Sequence, residues 1–210
     1  MPLYAKGPFR CLYVHIPKAG GTSLKLSLRR FGWEEQLSIR GKRVQDLKHL
    51  TSSPQHFHRD LLEPLLRWEA IDFAFTVCRH PFHRMKSEYY WQQSHGLAPA
   101  REPARWLEAV LARHEQDPYA FDNHLRPQVD FVLPHPGFQV LKLEEGGMLR
   151  ALEHMESLAP ATPLQRLYNR LRPPRTHRAT RVADVEQAFE VLRPRIEAYY
   201  ARDMAHFGYA

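Results

Sequence analysis

The chain has 210 residues, 43% of them hydrophobic and 25% charged, which is the balance of a soluble globular protein rather than a disordered or fibrous one. A formal charge of +7, with 13 histidines besides, calls for an anionic partner. No zinc-finger spacing, RNP motif or basic heptad marks it as a nucleic-acid binder, and no apolar run approaches the roughly 20 residues of a membrane span.

In chain order, "FRCLYVHI" at 9–16 is short, apolar and β-rich, and predicts a buried strand. Residues 22–31 place Leu24, Leu28 and Phe31 at helical spacing, and Arg59 to Trp68 predicts a second helix with Leu61, Leu62, Leu65 and Leu66 on its apolar side. "IDFAFTVC" at 71–78 is another strand, turned at His80-Pro81 into a helix from Phe82 to Gln93. A loop at 94–104 leads to an amphipathic helix ending near His114, "FQVLKL" at 138–143 is a third strand, and Met148 to Met155 is helical. Residues 159–181, rich in Pro, Arg and Thr, read as a surface loop before a last helix carrying Val185, Phe189, Leu192, Ile196 and Tyr199 on one face, with Pro194 as a kink. Trp68, Trp91 and Trp106 fall in predicted helices, where a tryptophan is more often core than a sugar platform.

Strands that are apolar along their length and alternate with helices predict an α/β fold, a three-layer parallel sheet flanked by helices, in one domain over 1–210. Cys11 and Cys78 are too few for a disulfide framework and sit in strands, as small buried hydrophobes. Ligands of such a sheet lie at the carboxyl ends of its strands, where "HIPKAGGTS" and "CRHP" are placed.

The first of these loops is built for an anion. The first N–H groups of a helix are unpaired and its dipole adds positive potential. Gly20 and Gly21 let the backbone curl, Thr22 and Ser23 add hydroxyls, and Lys18 adds a charge. It is not a Walker A loop, because Lys18 precedes the glycines, and no strand ends in an Asp suited to magnesium. The second segment sets Arg79 at a strand end and Ser87 two turns into the next helix, a planar fork and a hydroxyl for a second phosphate. The competing readings are a tight turn with a solvated lysine, and an Arg–carboxylate pair beside a surface serine.

Together, "HIPKAGGTSL" resembles the 5′-phosphosulfate loop of the sulfotransferases that use 3′-phosphoadenosine 5′-phosphosulfate (PAPS), and "VCRHPFHRMKSEYY" resembles their 3′-phosphate segment, RxPxxRxxSxY. The ending "YYARDMAHFGY" is similar to the closing pattern of the carbohydrate members, the uronosyl 2-O and chondroitin 4-O enzymes among them (sulfotransferase family 2). The resemblance implies a P-loop-type fold, PAPS as donor, its desulfated product PAP (3′,5′-ADP), and no metal. It also implies that Lys18 contacts the oxygen bridging sulfuryl and phosphate, that Ala19, Gly20, Gly21, Thr22 and Ser23 cradle the 5′-phosphate, and that Arg79 and Ser87 hold the 3′-phosphate. Residues of the late loop would close on the adenine, with Arg175, Arg178 and Thr180 as candidates.

A hydroxyl nucleophile benefits from a base that titrates near neutral pH, and "SPQHFHRDLLEPL" supplies His56 and His58 on one side of an extended segment before a helix start. The family's 2-O members carry such an HxH pair, and His58 is taken as the better placed base with His56 second; helix capping is the alternative role for either. "DNHLRPQVDF" at 122–131 is similar to an H–x–x–P–Q segment near the acceptor in the family, so His124, Arg126 and Gln128 are expected to contact the acceptor or brace the site. Arg126 suits a carboxylated or sulfated sugar, whereas a plain polar turn is the other reading. Segments 33–58 and 94–136 are expected to shape acceptor choice, and Arg166, Arg170 and Arg172 either form a solvated face or attract an anionic acceptor.

The reading is therefore a metal-independent transferase moving sulfuryl from PAPS to a hydroxyl, on a glycan or glycoconjugate, by in-line displacement with a histidine base. It is placed in the cytoplasm, or in the Golgi lumen if an anchor has been removed. A kinase on the same fold and a non-catalytic polyanion-binding module are the rivals. Against the kinase stands the position of Lys18, and against the module stands a complete set of candidate site residues.

Overall fold

The computed structural model describes residues 3–37, 48–99, 101–165 and 182–209. Five strands, β1 (Leu3–Lys6), β2 (Phe9–Val14), β3 (Glu34–Gln36), β4 (Phe73–Cys78) and β5 (Phe138–Lys142), form one sheet in the order β3-β1-β2-β4-β5. Its helices are α1 (Gly21–Arg30), α2 (Arg59–Leu62), α3 (Pro81–Ser94), α4 (Pro103–Gln116), α5 (Gly147–Leu158), α6 (Ala183–Tyr199) and α7 (Ala201–Phe207). The fold is α/β, with helices flanking the sheet as expected for a sulfotransferase-type P-loop fold.

The sheet is mixed rather than wholly parallel. β2, β4 and β5 run parallel, but β1 pairs antiparallel with β2, and β3 antiparallel with β1. Gly7, at a left-handed φ of 56°, and Pro8 turn the chain between Lys6 and Phe9, so β1 is the first arm of a tight hairpin. The helix expected from Arg59 to Trp68 stops at Leu62, and two single 3-10 turns, Glu63–Leu65 and Trp68–Ala70, replace its remainder. Pro64 lies inside that stretch and has no N–H to continue the ladder. Pro194 lies inside α6, which nevertheless continues to Tyr199. Most of the 159–181 loop, with Arg166, Arg170, Arg172, Arg175, Arg178 and Thr180, lies outside the described residues.

Alternation along the strands divides the core. Cys11 and Tyr13 of β2 and Phe73, Phe75 and Val77 of β4 face α1 and α5, where Leu24, Leu28, Ala151 and Met155 cover them. Full burial of a leucine such as Leu24 or Leu28 is worth about 1.5–3 kcal/mol. Leu12, Val14, Ala74 and Cys78 face the other way, onto Leu62, Phe131 and Phe207. A third cluster joins α3, α4 and α6 through Phe82, Tyr89, Trp106, Phe189 and Ile196. Cys11 and Cys78 are unbridged and buried, and burial pushes both thiols up, to about 12 and about 11. Parallel pairing of Val14 with Thr76, and of Cys78 with Lys142, brings the loops after β2, β4 and β5 to one edge. No helix among the described residues is long and apolar enough to cross a membrane.

Candidate active site

The loop after β2 is held in shape from several sides. Lys18 has a left-handed φ of 66°, uncommon for a residue with a Cβ, and Gly20 at 92° forms the N-cap of α1. No side chain caps α1 and no acidic residue lies in its first turn, which leaves its leading N–H groups for an anion. Ala19 turns into the core and does not line the cavity described below. The buried Arg84, the second arginine of the RxPxxR pattern, donates from Nε to the Pro17 carbonyl (3.2 Å) and from Nη2 to the carbonyls of His124 (2.6 Å) and Arg126 (2.8 Å). It thereby ties the loop to the 122–131 segment.

Gly21 is required by close packing, because a Cβ there would overlap Nε2 of His15. That ring cannot swing aside freely, since it stacks on Tyr13 (5.4 Å) and packs against His56 (5.0 Å). Gly21→Ala is expected to cost about 1–3 kcal/mol and to displace the loop. Thermal unfolding beside nucleotide titration checks this; unchanged values in both would show that the packing is not needed.

The two anion segments meet directly. Nη1 of Arg79 donates to the Lys18 carbonyl (3.2 Å), and Arg79, Ser87, Lys18 and Gly20 to Ser23 line the same cavity of about 420 Å³. That volume lies within the usual range for a small-molecule site. Nζ of Lys18 stands 5.0 Å from the centroid of Trp91, a cation–π contact that preorients it. Burial pushes the Lys18 ammonium down to about 8; the carboxylate of Glu88 resists this and the charge of Arg79 adds to it.

The cavity takes His56 rather than His58 onto its wall. Nδ1 of His56 lies 2.8 Å from Oδ2 of Asp122, whose two oxygens also accept from the Ser53 N–H (2.5 Å) and hydroxyl (2.6 Å). Burial alone would raise the Asp122 carboxyl, but the hydrogen bond and charge of His56, with Ser53, hold it below its ordinary range. An ionised Asp122 keeps the His56 proton on Nδ1 and leaves Nε2 as the acceptor. Burial pushes His56 down to about 4, opposed by the Asp122 hydrogen bond, so the ring is neutral at pH 7. His58 instead occupies the N-cap of α2 with no side-chain cap bond, and its ring packs against Tyr119 (5.8 Å) and Phe131 (6.4 Å). A spacing of two does put both histidines on one side of an extended strand, but here His56 closes a 3-10 turn (Pro54–His56) and the two rings diverge.

Phe121, Asp122 and Asn123 all have positive φ, from 54° to 63°. A run of left-handed residues costs roughly 1–2 kcal/mol each where a Cβ is present, less for Asp and Asn. The turn places Asp122 under the His56 ring while Asn123 donates from Nδ2 to the His56 carbonyl (3.0 Å), so both hold one histidine.

Of the three residues expected to contact the acceptor, only His124 reaches the cavity. Its Nδ1 lies 2.8 Å from Oε2 of the fully buried Glu88, which also accepts from Gln92 (2.8 Å). Burial alone would raise Glu88, but the hydrogen bond from His124 and its charge hold the carboxyl below its usual range. Arg126 is turned inward, bonded to Asn123 Oδ1 (2.9 Å) and the Pro118 carbonyl (3.2 Å), and paired with Asp130 (3.5 Å). Gln128 is fully buried and bonds the backbone of Arg79. Neither lines the cavity, because the hydrogen bonds of both side chains are spent on the protein behind the wall.

Among the wall and support residues, His15, Glu88 and Asp122 were given no role from sequence, and Trp91, read as core, lies on the cavity wall. His15 and Asp122 are the first residues of the quoted stretches "HIPKAGGTS" and "DNHLRPQVDF". Glu88 and Trp91 sit one and four residues past Ser87, so helical periodicity from Ser87 would have turned Trp91 to the same side. Among the described residues, no group of three His, Cys, Asp or Glu side chains is arranged to hold a metal ion.

The site thus presents helix N–H groups, the cations Lys18, Lys25 and Arg79, hydroxyls and an aspartate-backed histidine on one cavity, an arrangement suited to an anionic donor and a hydroxyl to be deprotonated. Comparison with known proteins agrees: the model of the sulfotransferase family matches residues 5–210. No curated protein and no solved structure matches the chain. With the family pattern spanning nearly the whole sequence, and its two anion segments meeting in one cavity, this chain belongs to the sulfotransferase family, enzymes that transfer a sulfuryl group to a hydroxyl-bearing acceptor.

Proposed function

We propose that the protein takes its sulfuryl group from PAPS and transfers it to a carbohydrate hydroxyl, with His56 as general base. The observation that carries this reading is the meeting of Lys18, Gly20 to Ser23, Arg79 and Ser87 on one cavity that also holds His56 with Asp122 behind it. PAPS brings a sulfuryl group on a phosphate leaving group, together with a 3′-phosphate. The residues present suit such a molecule: an uncapped helix N-terminus, Lys18 and Arg79 side by side, and no carboxylate among the described residues of the cavity wall.

In this reading the N–H groups of Gly21 and Thr22, with the hydroxyls of Thr22 and Ser23, bind the 5′-phosphate. Lys18 stabilises the negative charge that grows on the leaving oxygen, and Arg79 and Ser87 bind the 3′-phosphate. Nε2 of His56 accepts the proton of the acceptor hydroxyl, and Asp122 stabilises the imidazolium so formed. His124, 5.0 Å from His56 ring to ring, lies on the acceptor side of the base. The carbohydrate acceptor is inferred from the kind of sulfotransferase that the motifs resemble. Arg126, committed to Asn123, Pro118 and Asp130, is not assigned to it.

Calorimetric titration with 3′,5′-ADP, 5′-AMP and ATP–magnesium tests the donor site. The expected result is tighter binding of 3′,5′-ADP than of 5′-AMP by about tenfold or more, since a charged 3′-phosphate contact is worth roughly 1.5–3 kcal/mol. Equal affinities would remove the 3′-phosphate role from Arg79 and Ser87, and preference for ATP–magnesium would argue for phosphoryl transfer. With the donor site established, PAPS and a panel of sugars identify the acceptor.

A further inference from the structure

Beneath the cavity, a chain of hydrogen bonds runs from the C-terminal helix to the backbone of Arg79. β4 ends at Cys78, whose pairing with Lys142 is the last rung between β4 and β5. One residue further, the side-chain amide of Gln128 takes over: the Arg79 N–H donates to Oε1 (2.9 Å) and Nε2 donates to the Arg79 carbonyl (2.7 Å). A primary amide matches both groups at once, as another strand would, whereas a carboxylate or an amine matches one. Oε1 and Nε2 must not be exchanged, and Asp203 of α7 settles which is which. Its Oδ2 accepts from the Gln128 backbone N–H (2.9 Å) and stands 3.4 Å from Nε2, and its Oδ1 accepts from the Val129 N–H (3.0 Å). Facing a carboxylate, the amide must present its NH₂ and so turns its oxygen to the Arg79 N–H. Asp203 and Gln128 are both fully buried, and burying a carboxylate costs several kcal/mol before compensation.

We infer that Asp203 and Gln128 are positioning residues that hold the backbone of Arg79 so that its guanidinium meets the donor's 3′-phosphate. The inference rests on the donor-site reading above. The next N–H, that of His80, is fixed separately by Glu144 (2.9 Å), and the Arg79 guanidinium reaches back to the Lys18 carbonyl (3.2 Å). The strand end is therefore tied on both sides, and the link from α7 runs through Gln128.

The test is a double-mutant cycle read by nucleotide binding. Gln128→Met keeps the side-chain length and removes both hydrogen bonds, Asp203→Asn leaves the shape and blurs the orientation, and each is made with and without Arg79→Ala. Titrations with 3′,5′-ADP and 5′-AMP are run beside thermal unfolding. Gln128→Met is expected to weaken 3′,5′-ADP by about tenfold, to leave 5′-AMP within about twofold, and to have almost no further effect on 3′,5′-ADP once Arg79 is alanine. Should Gln128→Met fail to fold, the Asp203→Asn cycle decides by the same comparison. Preference for 3′,5′-ADP that survives in the variants, or an equal loss persisting without the Arg79 side chain, overturns the inference while leaving the donor site intact. A wild-type protein with no preference for 3′,5′-ADP overturns the donor-site reading and the inference with it.

Discussion

Replacing His56 with alanine is expected to lower kcat for sulfuryl transfer by about 10²–10⁴-fold, the range for loss of a general base, with 3′,5′-ADP affinity nearly unchanged. The separation follows from position. His56 lies on the cavity wall beside His15 and His124, whereas the proposed nucleotide contacts come from the 17–23 loop and from Arg79 and Ser87. Asp122→Asn should come close to the same loss. The asparagine would have to accept from Ser53 on both sides, which its NH₂ cannot do. With that NH₂ turned toward His56, Nδ1 becomes the acceptor and the proton moves to Nε2, the wrong tautomer for a base. His58→Ala is the contrast, and should retain activity, because its ring packs on Tyr119 and Phe131 away from the cavity. Steady-state kinetics of the three variants settle the assignment: an inactive His58→Ala that still binds 3′,5′-ADP, beside an active His56→Ala, would return the base to His58.

Lys18→Ala should reduce kcat/KM by about 10²–10³-fold, as removal of a preorganised group facing developing charge does, and should weaken 3′,5′-ADP far less. In 3′,5′-ADP the former bridging oxygen is one of three equivalent terminal oxygens of the 5′-phosphate, whose charge the N–H groups of Gly21 and Thr22 also hold in this reading, so the loss of Lys18 costs the product less than the transition state. The pH dependence supplies a second measurement. Only the protonated amine stabilises an anion, and burial holds that amine at about 8, so kcat/KM of the free enzyme should fall as pH rises through about 8. The acid limb should come as His56 gains a proton near pH 4, giving a plateau between the two. A bound anionic donor favours the charged lysine, so the alkaline limb of kcat should lie at higher pH than that of kcat/KM. In Lys18→Ala the limb near 8 should vanish; its persistence would assign it to another group.

The resemblance carried by two short motifs led to the family before any coordinates, and the residues that carry it are those whose roles depend on local geometry. A glycine pair at a helix start and an arginine at a strand end act through the backbone next to them. Lys18, Gly20 to Ser23, Arg79 and Ser87 therefore converge as expected once β2 and β4 pair in parallel. Two strands were missed for a physical reason. β1 and β3 are four and three residues long, too short to show a period; β1 buries only Tyr4 and Ala5, and β3, Glu-Glu-Gln, is polar throughout and held by pairing with β1. The dipeptide Gly7-Pro8 was the available sign of the first hairpin.

The sequence by itself determined the α/β architecture, the two loops that meet at the cavity, and the presence of a histidine before α2, because periodicity and turn chemistry act within a few residues of the chain. Only the tertiary structure decided which histidine faces the cavity and what stands behind it. Asp122 lies 66 residues from His56, and Gln128 lies 49 from Arg79 and 75 from Asp203. Such partners are chosen by where the sheet and the left-handed turn deliver them, and no local pattern records that choice. The same cause turned Arg126 and Gln128 inward: a polar segment carries no mark of which side chains face a ligand and which satisfy the buried backbone behind it.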